Sequence, residues 1–95
     1  MTDGFGTEAR RWVVSGRVQG VGYRYTMRTV AVAAGVAGWV RNLPDGSVEA
    51  EIEGTHEQID RVVAWMAQGP PGARVDTAMV TDAEPTGKPG FVVRD

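Results

Sequence analysis

The 95-residue sequence contains no cysteine and a single histidine. The first absence excludes a disulfide framework, a thiolate-bound metal and a cysteine nucleophile. The second leaves His56 without Cys or His partners for a metal, so it reads as a structural or solvent-facing residue. Redox chemistry thus leaves the compartment open, and a cytoplasmic location is the default expectation. No apolar stretch reaches the roughly 18 to 20 residues of a membrane span. Residues 1–10, MTDGFGTEAR, lack the apolar core of a signal peptide and read as a flexible N-terminal extension to a single domain over residues 11–95. No membrane partner is expected. Nor is positive charge in excess: ten Lys and Arg against twelve Asp and Glu give a net charge of −2. That balance argues against a nucleic-acid binder relying on a broad positive field.

What the chain does have is Gly16-Arg17-Val18-Gln19-Gly20-Val21-Gly22-Tyr23-Arg24, with three glycines in seven positions and two arginines. Glycine lets successive backbone N–H groups turn inward without Cβ clashes, and such a concavity at a helix N-terminus attracts anions. Arg24 adds a planar fork suited to two oxygens of the same anion. A tight strand-to-helix turn with solvated arginines accounts for the glycines equally well. The spacing fits neither the dinucleotide fingerprint nor the triphosphate-binding loop, so a smaller anion is the better match. Charge is also segregated. Arg10, Arg11, Arg17, Arg24, Arg28 and Arg41 fall in the first 41 residues, whereas the stretch from Asp45 to Asp60 carries six acids and no Lys or Arg.

Periodicity supplies the frame. Trp12 to Val18 reads as a first strand, with Trp12, Val14 and Val18 on one side. Met27, Val30, Ala31 and Ala34 recur at helical spacing from about Tyr23, and Gly35 is placed to stop that helix. A second strand spans Val36 to Asn42 and is broken by Pro44-Asp45-Gly46-Ser47. Val48, Ala50 and Ile52 then alternate with Glu49, Glu51 and Glu53, a half-buried strand whose glutamates are expected to face water. Thr55-His56-Glu57-Gln58 matches a capping box that opens a second helix reaching about Gln68. Val75 to Val80 and Phe91 to Arg94 read as two further strands. The order β-α-β-β-α-β predicts two split βαβ units: an antiparallel sheet with both helices on one face. Right-handed crossovers then bring the C-terminal ends of the first two strands to the same rim, which places Asn42 beside the glycine loop and Arg24.

Bland readings hold for the other candidates. Trp12 and Trp39 are expected to cover the open face of the sheet or the rim of a cleft rather than stack on RNA bases, since the glutamate strand disfavours a nucleic acid. Tyr23 and Tyr25 fit either a site entrance or helix packing.

The glycine segment, followed by Gly38-Trp39-Val40-Arg41-Asn42 and Asp45-Gly46-x-Val48, resembles the acylphosphatases. The similarity continues through Glu53-Gly54, Gly69-Pro70 and Phe91-Val92-Val93-Arg94 and so covers nearly everything after residue 10. The resemblance implies an α+β, ferredoxin-like βαββαβ sandwich with a four- to five-stranded, mainly antiparallel sheet. It also implies hydrolysis of the carboxyl–phosphate bond of a small acyl phosphate with no metal, cofactor or covalent phosphoenzyme, and a monomer is the expected state. By the same resemblance Arg24 binds the phosphoryl group and Asn42 positions the attacking water. The phosphate-binding segment is then Gly16, Arg17, Val18, Gln19, Gly20, Val21 and Gly22, with backbone donors from Gln19 onward. Phosphoryl transfer is compatible with such a set, because fixed donors can stabilise the equatorial oxygens and a carboxylate leaves without a general acid. A non-catalytic anion-binding or regulatory module on the same fold is the alternative, and Asn42 is the residue it would not need.

Overall fold

Strict alternation in the sequence becomes two unlike faces of one sheet. The computed structural model describes residues 7–94, in the order β1 (Glu8–Arg17), α1 (Tyr23–Ala34), β2 (Ala37–Asn42), β3 (Val48–Gly54), α2 (His56–Met66), β4 (Arg74–Ala83) and β5 (Phe91–Val93). The strands lie in the order β4-β1-β3-β2-β5, antiparallel except for the β2–β5 pair. Trp12, Val14, Val40, Val48, Ala50 and Ile52 form the inner face. Against them pack Tyr23, Met27, Ala31 and Ala34 of α1 and Ile59, Val62 and Met66 of α2.

The outer face carries ion pairs. Arg11 Nη2 lies 2.8 Å from Glu51, and Arg41 Nη2 lies 2.7 Å from Glu49. Burying one aliphatic side chain contributes about 1.5–3 kcal/mol, whereas an exposed ion pair contributes about 0–1 kcal/mol. The inner face therefore holds the sheet together, and the arginine–glutamate ladder mainly keeps the outer face from being bare.

Three expectations need correction. Residues 8–10 belong to β1 rather than to a loose extension: Ala9 pairs with both Glu53 and Ala83, and Arg10 with both Ile52 and Asp82. Glu8 and Arg10 are polar, but strands on both sides of Ala9 and Arg10 satisfy their backbone groups and Ala9 is buried, and that overrides composition. Residues 1–6, the remainder of the expected extension apart from Thr7, lie outside the described residues. Trp12 does not cover the open face; it shares the parity of Val14, pairs with Ala50 and is buried. Glu49 does not face water either, being enclosed by Arg41 and Arg11 reaching across from the neighbouring strands.

The topology positions the site. Both β1 and β2 run antiparallel to β3, so they are parallel to each other as next neighbours. Their C-terminal ends meet at one rim. At that end β1 is irregular between Ser15 and Gly16. Gly16 has φ 129°, and a Cβ there would come within 2.1 Å of the Arg74 carbonyl oxygen, so no larger residue fits this close approach of β4.

Candidate active site

The chain leaves β1 at Arg17 and enters α1 through Gly22, whose φ of 78° is left-handed. This backbone conformation suits glycine, and glycine offers no side chain to cap the helix. α1 has neither a side-chain cap nor an acid in its first turn. The first amides of a helix lack intrahelical partners, so this N-terminus presents donors and positive dipole to an anion. Tyr23 fixes its place: the buried hydroxyl donates to the Met66 carbonyl at 2.8 Å, and the ring lies 5.0 Å from that of Trp65. Burial pushes the Tyr23 phenol above the usual tyrosine range, so it stays a neutral donor.

Asn42 is the last residue of β2 and shares the inner-face parity of Val40. Its Oδ1 is buried, and no described residue donates to it; among the described residues it is alone in this. A buried acceptor that no protein group meets calls for a donor from a bound water or ligand. Val18, Gln19, Gly20, Gly22, Tyr23, Arg24, Tyr25 and Asn42 line one pocket of about 250 Å³. That is small beside the pockets of drug-sized ligands, at roughly 300–1,000 Å³.

Arg24 is held by a residue 70 positions further along the chain. Its Nη1 donates to the carbonyl oxygen of Arg94 at 2.8 Å, and its guanidinium carbon lies 5.4 Å from the Tyr25 ring centroid. Arg94 in turn lies over Trp39, 4.6 Å from its ring centroid. The β2–β5 parallel pair, with Val40 opposite Val93, brings Arg94 to this level of the sheet. Sequence reasoning missed both the Arg94 contact and the Tyr23 anchor, because each joins residues more than forty positions apart with no local pattern to signal it.

Of the nine sequence-derived site residues, six line the pocket: Val18, Gln19, Gly20, Gly22, Arg24 and Asn42. Gly16 and Arg17 instead finish β1 opposite Val75 and Arg74, and Val21 packs against the core. The Gln19 side chain points at the turn after β2, donating from Nε2 to the carbonyl oxygens of Leu43 and Ser47. A separate cavity of about 200 Å³ lies on the outer face, lined by Trp39, Glu51, Glu53, Lys88, Val92 and Arg94 among others. Its two carboxylates stand beside two cations, Lys88 and Arg94, and neither Asn42 nor the glycine loop reaches it. The rim pocket is the one that joins the glycine loop, Arg24 and Asn42.

The strand order and the two helices on one face define a ferredoxin-like α+β protein with a glycine-loop pocket at one rim of its sheet. The sequence profile of the acylphosphatase family matches residues 10–93. An acylphosphatase from Thermococcus kodakarensis is 54% identical over 80 residues, which is 84% of this chain and 88% of that protein. The structure of an acylphosphatase from Coxiella burnetii superposes with a TM-score of 0.92 at 33% identity, covering 99% of this chain and all of the other. A Bacillus subtilis acylphosphatase superposes with a TM-score of 0.88 at 35% identity, over 92% of this chain and 98% of that one. The chain belongs to the acylphosphatase family.

Proposed function

We propose that this acylphosphatase hydrolyses its acyl phosphate in the pocket shared by the glycine loop, Arg24 and Asn42. The phosphoryl group sits against the loop amides from Gln19 to Gly22 and the N-terminus of α1, with the Arg24 guanidinium on its oxygens. Asn42 Oδ1 accepts a hydrogen bond from a water molecule and so directs the water's lone pair at phosphorus. The new P–O bond forms as the bond to the acyl oxygen breaks. The acyl group leaves as a carboxylate, and both protons of the water remain with the phosphate released. The carboxylate is stable as it leaves, so the reaction asks of the protein mainly positioning and stabilisation of charge on the equatorial oxygens.

The observation that carries this reading is the buried, unpartnered Asn42 Oδ1 in the same pocket as Arg24. A module that only bound an anion would gain nothing from a lone acceptor there, since an acceptor repels the anion's own oxygens. The contacts address phosphate rather than the acyl group, so broad acyl specificity follows. Benzoyl phosphate should be hydrolysed without added metal and at the same rate in EDTA, whereas simple phosphate esters should be poor substrates. Absence of benzoyl phosphate hydrolysis at micromolar enzyme, together with retained phosphate binding, would establish the anion-binding module instead.

A further inference from the structure

The amide of Gln19, in the glycine loop, is engaged by the turn after β2. Gln19 Nε2 donates to the Leu43 carbonyl oxygen at 2.8 Å and to the Ser47 carbonyl oxygen at 2.9 Å. These two carbonyls bracket the turn that begins immediately after Asn42. The turn is stiff in its own right: Leu43 N–H donates to Ser47 O at 2.8 Å, Gly46 N–H to Leu43 O at 3.1 Å, and Ser47 N–H to Asp45 Oδ1 at 2.9 Å. A primary amide offers two N–H donors on one uncharged nitrogen, and here both are spent on the turn. One side chain thus fastens the glycine loop to the segment that carries Asn42, across 24 and 28 residues of sequence.

We infer that Gln19 is a positioning residue, whose amide fixes the distance between the phosphoryl group in the loop and the water held by Asn42. The inference rests on the roles proposed above for the loop and Asn42. Phosphate affinity depends on the loop amides and Arg24, which keep their shape from β1, α1 and Arg94. Turnover depends in addition on where Asn42 stands relative to them, and a displacement of about 1 Å can cost a factor of about 100. Loss of the clamp therefore separates catalysis from binding.

Gln19→Leu and Gln19→Glu, assayed with benzoyl phosphate and with inorganic phosphate as competitive inhibitor, test this between pH 5 and 8. Gln19→Leu should lower kcat by about 10- to 100-fold while leaving the inhibition constant for phosphate nearly unchanged. Gln19→Glu keeps size and polarity but, once ionised, sets a carboxylate against two carbonyl oxygens. The introduced carboxyl is therefore pushed up, and as pH falls it protonates and can donate one of the two lost bonds. Its kcat relative to wild type should rise severalfold from pH 8 to pH 5, whereas the ratio for Gln19→Leu stays flat.

Tyr23, Arg24 and Tyr25 line the same pocket, and Asp45 lies in the clamped turn. Asp45 is held below the usual carboxylate range by Ser47, and burial holds Tyr23 above its own. Taking ratios to wild type cancels any titration the proteins share. Near-normal kcat in either variant, equal ratios for Gln19→Glu at both pH values, or a phosphate affinity that falls in step with kcat would overturn the inference. Should Gln19→Leu fail to melt cooperatively, the pH ratio of Gln19→Glu decides alone. Asn42→Ala measured alongside separates the two levels: if it turns over normally, the reading of the site has failed; if it is inactive while the Gln19 variants are normal, only the clamp has.

Discussion

The two helices begin in opposite ways. α2 closes its own N-terminus: Thr55 Oγ1 accepts from the Gln58 N–H at 3.2 Å, and Gln58 Oε1 accepts from the Thr55 N–H at 2.9 Å. Glu57 adds a negative charge to the first turn. α1 has none of these, only a glycine with no side chain in front of it. Both helices pack the same core, and both would gain from a cap worth about 1 kcal/mol. One helix end is built for stability. The other forgoes that stabilisation and keeps its donors for a ligand.

The largest effect that would sharpen this contrast belongs to Asn42, at the rim of the uncapped end. Asn42→Ala should reduce kcat by about 1,000-fold, the upper range for losing one oriented polar group at a reacting centre, while phosphate still inhibits. Steady-state kinetics with benzoyl phosphate checks it, and a loss of less than tenfold would remove Asn42 from the water-orienting role. Next is Arg24→Ala. Loss of a charge-assisted contact worth about 1.5–3 kcal/mol should lower kcat/KM by about 10- to 100-fold. It should also abolish the rise in Tm that inorganic phosphate gives the wild-type protein, a rise expected because phosphate binds the folded state. Undiminished stabilisation by phosphate in this variant would place the anion elsewhere. The smallest effect lies at the capped helix. Thr55→Ala should cost ~1 kcal/mol, or about 4–8 °C in Tm for a domain of this size, and leave kcat untouched. If it slowed turnover while Tm stayed put, the division between a structural and a functional helix end would collapse.

How much of this was legible in the sequence depended on how local the cause is. β3 was plain, because Val48, Ala50 and Ile52 alternate with Glu49, Glu51 and Glu53. The capping box was plain too, since Thr55 and Gln58 are three apart. α1 was legible to the residue from its apolar spacing and from Gly35, which ends it at φ 83°. The side of the sheet on which a residue lies is a matter of register between strands, and register is set far away in sequence. This is why Trp12 turned up opposite Ala50 in the core, and why Glu49 acquired two arginines. At the site, the glycines and Asn42 could be brought to one rim by topology alone. The Gln19 amide, the Tyr23 hydroxyl and the Arg94 carbonyl could not, because each finds its partner only when the chain has closed on itself.

The Arg24–Arg94 hydrogen bond joins residues 70 positions apart. During synthesis, the glycine loop, α1 and Asn42 emerge before β5, and the Arg24–Arg94 hydrogen bond forms only once β5 has added itself to the edge of the sheet. A chain that has not yet formed β5 therefore carries the glycine motif without the Arg94 carbonyl that meets Arg24 Nη1.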